Sequence, residues 1–226
     1  MTTTAPDAPP VDDDDEAEAG ARGPGAGLWI ALAVATLILG GAIGWVAGNR
    51  NAEPTVPGAG SVDVGFFQDM TTHHNQAVAM ASIYLEHGTD PLLRQIANEV
   101  LLYQAAEIGV MNDWVTRWGQ AGKAPDVSRW MPGMPMTRDA MMGMATKEQM
   151  AQLDAARGAE LDDLFTELLI RHHEGGIAMA QYAEAHAETE TARSWATGMI
   201  DGQKGEIAEL NRWRLQAGLP IVRVSV

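Results

Sequence analysis

Apolar side chains recur at spacings of three and four through two long stretches of the chain. In the first, Leu93, Ala97, Val100, Met111 and Trp114 form one line, with Gln104 and Glu107 set into it. In the second, Ala192, Ala196, Met199, Leu210 and Trp213 repeat that line, again with a Gln and a Glu, Gln203 and Glu206. Such spacing predicts a helix with one inward face. The Gln and Glu therefore interrupt the buried stripe rather than the wet one. Upstream of the first stretch lies FFQDMTTHHNQAVAMASIYLEHG, where His73, Met80 and His87 follow a seven-residue spacing. That spacing keeps all three on one helix face, drifting about 20° per step. His74 falls about 100° away, in the apolar direction of Val78, Ala81 and Leu85. Asp69 and His73 are four apart and within reach of each other.

Displacing the chain by 99 residues superimposes these polar positions without a gap. All six histidines fall into pairs: His73 with His172, His74 with His173, and His87 with His186. Phe66, Met80, Arg94, Gln104, Glu107, Ile108 and Trp114 meet Phe165, Met179, Arg193, Gln203, Glu206, Ile207 and Trp213. This register identifies an internal duplication. Each copy reads as two helices. Ser61 or Asp63 can cap the first, and Gly88 closes it; Asp90 followed by Pro91 opens the second, which ends at Gly119. Copy two gives helices over 160–187 and 189–218. Connections of two or three residues force antiparallel neighbours, so the expected fold is all-α: two helical hairpins packed as a duplicated antiparallel four-helix bundle over residues 61–220. A long connection, 120–158, carries a Met-rich stretch and a short helix that Thr146 can cap, with Gln149 completing a capping box.

The first 60 residues follow other rules. Residues 1–27 are Pro, Gly, Ala and acid, with too little apolar surface to offset the entropy of ordering, and predict a disordered acidic tail. Leu28 to Ala47 is twenty residues without a charge, flanked by Trp29 and Trp45, and predicts one transmembrane helix over 28–48. A cleaved signal peptide would have a shorter apolar region and a basic leader, so the segment reads as a retained anchor. Residues 49–60 form a Pro/Gly linker. A short tail before a larger domain places that domain outside the cell membrane, giving a single-pass protein with an extracytoplasmic C-terminal domain.

The formal net charge is −15, and the tail, with seven acids against one base, supplies −6 of it. The acidic remainder argues against nucleic acid as a partner. With no cysteine, thiolate sites and disulfides are excluded. Any metal must use His, Met, carboxylate or amide ligands. The candidate set in the bundle is Asp69, His73, His74, Met80, Gln104 and Glu107 in copy one, with His172, His173, Met179, Gln203 and Glu206 in copy two. A carboxylate on an inward face is costly unless paired or bound to a cation. The same polar set could instead be a hydrogen-bonded core network. Met131, Met134, Met136, Met141, Met142 and Met144 lie within fourteen residues, and thioethers suit Cu(I) or Ag(I). Gly and Pro between them predict an exposed turn, although methionine also fills irregular seams.

Two motifs, DMTTHHNQAVAMA at 69–81 and LLIRHHEGGIAMA at 168–180, are each followed by Gln-x-x-Glu-Ile, and Met142-Gly143-Met144 lies between the copies. In these features the chain resembles the DUF305 domain family over residues 62–216. The resemblance implies a ferritin-like bundle, exported or membrane-tethered, with relatives linked to copper or silver. Leu168 stands where copy one has Asp69, and Gly175 where it has Gln76, so a site built on Asp69 would be asymmetric. Three functions follow. The first is copper or silver sequestration or transfer, with zinc or iron as other candidate ions and a second copy or a copper-handling protein as partner. The second is a metal-dependent oxidase of Cu(I) or Fe(II), disfavoured because Glu107 and Glu206 lack the Glu-x-x-His spacing of di-iron bundles. The third is a structural or interaction bundle without metal. A histidine site would bind metal less well as pH drops through about 6.5.

Overall fold

The computed structural model describes residues 56–122, 125–133, 136–137 and 140–225. The expected tail and membrane span, and most of the linker, lie outside the described residues; among those described, no helix is long and apolar enough to cross a membrane. Five helices carry the fold: α1 (Val62–His87), α2 (Pro91–Arg117), α3 (Lys147–Ala155), α4 (Gly158–His186) and α5 (Glu190–Gln216). A two-residue antiparallel pair, β1 (Val127–Ser128) with β2 (Met136–Thr137), sits in the long connection.

The helix boundaries follow from local chemistry. Ser61 caps α1 through Val64 N–H, so the capping role goes to Ser61 and not to Asp63. The Asp90 carboxylate accepts from Leu92 and Leu93 N–H at 2.9 Å, with Pro91 in the first turn. Thr146 and Gln149 form the reciprocal capping box at α3. Gly119 and Gly218 end α2 and α5 with φ of +69° and +77°, the left-handed cap that glycine adopts without penalty. Gly88 has an ordinary φ; its missing side chain instead makes room for the Tyr84 ring, 2.5 Å from where a Cβ would lie.

α1 packs against α2 and α4 against α5, and the two hairpins meet chiefly through α1 and α4, which run antiparallel. The duplicated arginines do the same work twice: Arg94 donates to Leu85 and Gly88 carbonyls, and Arg193 to Ala187 and Glu188 carbonyls, each bracing its hairpin turn. The core is apolar and shared by both copies. Phe66, Phe67, Met70, Leu93, Phe165, Leu169 and Ile170 are essentially fully buried, and each such side chain contributes roughly 1.5–3 kcal/mol. Tyr84 stacks on Phe165 with ring centroids 4.4 Å apart, and its hydroxyl donates to Asp162. At the opposite end of the α1–α4 contact, Asp63 accepts from the backbone N–H groups of Glu188 and Thr189 and from the Thr189 hydroxyl. The buried acid thereby fixes the α4–α5 turn against the start of α1.

The long connection departs from the exposed turn that its Gly and Pro content predicts. Trp130 and Met131 are buried, as are Met141 and Ala145, while Met142 and Met144 are half-buried against the core. The backbone here can approach α4 closely because Gly175 has no side chain: a Cβ at that position would lie 1.9 Å from the Met142 carbonyl oxygen. Gln76, the copy-one counterpart of Gly175, clasps the same segment from the other side. Its amide donates to the Ala145 carbonyl at 2.9 Å and accepts from Ala145 N–H at 2.7 Å.

Candidate metal centre

Where α1 and α4 cross, both His-His pairs are buried. His73, His74 and His173 have no exposed surface, and His172 is 1% exposed. The His73 and His172 rings overlap with centroids 3.7 Å apart and planes at 31°. Each Nε2 faces an oxygen. His73 donates to the Met142 carbonyl at 3.0 Å, and His172 to the His73 backbone carbonyl at 2.9 Å. His74 donates to Glu107 Oε2 at 2.8 Å, and His173 to Glu206 Oε2 at 2.5 Å. An oxygen acceptor at Nε2 places a ring hydrogen there, so that in the neutral ring Nδ1 carries the bare lone pair. All four Nδ1 atoms are buried and without a hydrogen-bond partner.

Glu107 and Glu206 interrupt the inward stripe, as the sequence predicts, but they stop at its edge. Their side chains are 26% and 24% exposed, so each joins solvent to a wholly buried imidazole. Gln104 and Gln203, one turn earlier, are buried, with Oε1 atoms that also lack a partner. Gln203 lies against Gly176, where a Cβ would come within 2.5 Å of its amide oxygen. Met80 and Met179 are fully buried two turns along from His73 and His172.

Burial, followed by the neighbouring His74, lowers the His73 imidazole to about 3. Burial, followed by His73, holds His172 well below its ordinary value. Desolvation penalises the charged imidazolium, and the other rings add like-charge repulsion. Both central imidazoles are therefore neutral far below pH 6.5. The sequence-based expectation that metal affinity fades through that pH is corrected accordingly, because it assumed an exposed histidine.

The remaining candidates fall elsewhere. Asp69 does not hydrogen-bond to His73; its Oδ2 accepts from the buried Trp130 Nε1–H at 2.7 Å. Sequence reasoning missed this partner, since the Asp is absent from copy two and the Trp lies in the connection between the copies. Gly65 gives Trp130 its room, as a Cβ there would sit 2.4 Å from the indole. Met131 and Met141 pack in the core, Met144 borders a cleft with Gln149, Glu167 and Arg171, and Met134 lies outside the described residues. Met136 enters β2, and its side chain is outside the description.

Buried neutral imidazoles with bare nitrogens fit a metal that takes nitrogen ligands. Oxygen partners at Nε2 fit the usual outer support of metal-binding histidine. The shell is not closed as it stands. Among the described residues, no three His, Asp or Glu side chains are gathered tightly enough to hold an ion between them. The overlapped rings of His73 and His172 cannot share one ion face to face either, because each lone pair lies in its own ring plane.

Among curated proteins, none matches the chain. Solved structures do. A DUF305 protein from Streptomyces coelicolor, assigned as secreted, is 29% identical, with a TM-score of 0.68 over 74% of this chain and 99% of that one. A DUF305 fragment from Deinococcus radiodurans is also 29% identical, with a TM-score of 0.57 over 68% of this chain and 95% of that one. CopM in its Cu(II)-bound form is 27% identical, with a TM-score of 0.54 over 68% of this chain and 96% of that one. The pattern of the family described as "Domain of unknown function (DUF305)" matches residues 63–214, two thirds of the sequence and all four long helices of the duplicated bundle, and the chain belongs to that family.

Proposed function

We propose that this protein binds a metal ion, copper or silver first, in the core of its bundle and sequesters or transfers it outside the membrane to which residues 28–48 anchor it. The observation that carries the reading is the set of four buried Nδ1 atoms without a hydrogen-bond partner on His73, His74, His172 and His173, each ring held by an oxygen at its other nitrogen. Leaving a buried nitrogen unpaired costs about 1–3 kcal/mol, and coordination removes that cost at each nitrogen an ion engages. In this reading Glu107 and Glu206 orient His74 and His173, while the oxygens of Gln104 and Gln203 and the thioethers of Met80 and Met179 are available for a softer or fuller shell. Imidazole suits both copper states, and Zn(II) or Fe(II) as well. CopM, similar in fold, has been solved in Cu(I)- and Cu(II)-bound forms at 25% and 27% identity, which favours copper. The Streptomyces relative assigned as secreted supports a place outside the cytoplasm.

A second reading, a metal-free network that sets helix register, draws support from the overlapped His73 and His172 rings and from the open coordination shell. Elemental analysis of untagged protein, expressed with Cu, Zn and Fe offered in turn, separates the two. Metal binding predicts retained metal and a stabilisation of about 2.7 kcal/mol at a hundredfold excess of free ion over Kd. Both effects should disappear in His73→Gln/His172→Gln. Wild-type protein that is metal-free, with a melting temperature indifferent to all three ions, leaves the network as the function of these residues. Turnover of Cu(I) or Fe(II) under oxygen would identify an oxidase instead.

A further inference from the structure

The two copies end their second helices alike and then part. Gly119 N–H bonds the Thr116 carbonyl and Gln120 N–H the Val115 carbonyl. Their counterparts 99 residues on repeat this, Gly218 to Leu215 and Leu219 to Arg214. Beyond that point copy two lays its chain over its own hairpin. Val222 is buried and Val224 half-buried, while Ile221, Arg223 and Ser225 are exposed, the period of two that an extended strand gives. The Asn211 side chain pairs both backbone groups of Val222, donating to its carbonyl at 3.0 Å and accepting from its N–H at 2.8 Å. Arg171 donates to the Arg223 carbonyl at 2.8 Å, and Glu174 accepts from Ser225 N–H at 2.8 Å. The strand is thereby held to α5 by one residue and to α4 by two.

Copy one turns away at Gly122, the counterpart of Ile221, with a φ of +68°. Between α1 and α2 it leaves a cleft of about 270 Å³, lined by Gln68, Thr71, Thr72, Asn112, Thr116 and Gly122 among others. Asn112 is the counterpart of Asn211, and Thr72 of Arg171. Asn112 is exposed, and its side-chain amide makes no hydrogen bond among the described residues. The Thr71 hydroxyl in this lining is buried without a partner, as is the amide oxygen of Gln120 next to Ala121. Buried polar atoms are normally paired, so a lining with two that are not lacks something. Its duplicate shows what such a groove accepts.

We propose that the cleft between α1 and α2 is a docking site for a peptide strand of a partner protein, held as copy two holds residues 220–225. Asn112 pairs both backbone groups of one residue, whose apolar side chain enters the cleft; main-chain pairing supplies affinity and the alternate side chains supply choice. Thr72 and Asn75 stand where copy two has Arg171 and Glu174, so the site is neutral at both ends. An uncharged strand with apolar residues at alternate positions suits it. The tail of a second copy is a poorer occupant, because it would leave its bonds to Arg171, Glu174 and Asn211 for a groove that offers fewer. The site stands apart from the metal reading and does not depend on it.

Fluorescence anisotropy of the labelled, end-capped peptide Leu-Pro-Ile-Val-Arg-Val-Ser, the sequence of residues 219–225, added to the intact chain tests this. A second peptide carries Arg223→Thr, which removes the charge. Wild type should bind both one to one, the uncharged peptide at least as tightly. Asn112→Ala removes no bond from the folded chain, so it should weaken binding about tenfold at an unchanged melting temperature. Asn211→Ala should keep the binding, and Val222→Asp/Val224→Asp in the peptide should abolish it. Wild type that binds neither peptide at millimolar concentration would overturn the site, as would equal binding of the Asp peptide. Binding lost in Asn211→Ala and kept in Asn112→Ala would mark exchange with the chain's own tail on α4 and α5, and would equally overturn it. Light scattering that finds wild type dimeric and Asn112→Ala monomeric would give the groove to a second copy and overturn the partner strand.

Discussion

Acid should destabilise this protein in a window where few proteins respond, and two residues should be the reason. Above pH 6.5 the imidazoles of His73 and His172 are neutral in folded and unfolded chains alike, so pH has no leverage through them. As pH falls through 6.5, the unfolded chain takes up a proton at each, while folded His73 does not until about 3. A lowered folded-state value therefore contributes stability that is present above pH 6.5 and is lost progressively below it. Each pH unit in that window costs about 1.4 kcal/mol per histidine. Between pH 6.5 and 5, His73 alone removes about 2 kcal/mol, and His172, shifted in the same direction by burial and by His73, adds to it. Total stabilities of about 5–15 kcal/mol make this a large fraction. Urea unfolding of metal-free protein at a series of pH values, followed by tryptophan fluorescence, measures it. His73→Gln/His172→Gln should be less stable at pH 7 yet nearly flat between pH 6.5 and 5. Parallel pH slopes in the two proteins would refute the claim that these buried rings exclude the proton. In the metal-binding reading proposed above, the same exclusion predicts that imidazoles already neutral without the ion hold it to well below pH 6.

Two further outcomes follow from the connection between the copies. Gly175→Ala should cost about 1–3 kcal/mol or more in unfolding free energy, because its Cβ meets the Met142 carbonyl and the backbone must move; an unchanged melting temperature would mean that the segment is not seated there. Met131→Leu/Met141→Leu should leave both stability, within about 1.5 kcal/mol, and Ag(I) uptake unchanged. Met142→Leu/Met144→Leu, at the half-buried pair, should lower uptake; equal uptake by all three proteins would reduce the methionines to packing.

Much of the fold was written in the register of the repeat. The six histidines, the two Gln-x-x-Glu-Ile motifs and the turn signals at Gly88 and Asp90–Pro91 located both hairpins, because capping and 3.6-residue periodicity are local properties. The Thr146–Gln149 box located α3 for the same reason. Facing positions were legible too: Gln104, Glu107 and their copies do interrupt inward stripes. What the sequence left hidden depends on where one connection crosses the bundle. Asp69 looked like a partner for His73 because only helix neighbours can be read from spacing, and its true partner, Trp130, arrives from a segment 61 residues away. The methionines looked exposed because Gly and Pro flank them. Gly175 and Gly65, however, open space on the helices for that segment to sink into. The low protonation point of His73 was equally out of reach, since it depends on total burial.

The duplication makes two halves alike, and one strand of chain then tells them apart. His73 donates to the carbonyl of Met142, a residue of the connection, whereas His172 donates to the backbone of His73 itself. A pair of identical hairpins associating as separate molecules would have no means of making that distinction. Joined by a connection that can lie on only one side, they acquire a front and a back: Gln76 and Asp69 grip the passing segment, while Gly175 and Leu168 mark the half that yields to it. The two central imidazoles are therefore not interchangeable. One ring is tethered to the connection between the copies and the other to the backbone of the opposing helix, so two positions that descend from symmetry answer to different parts of the chain.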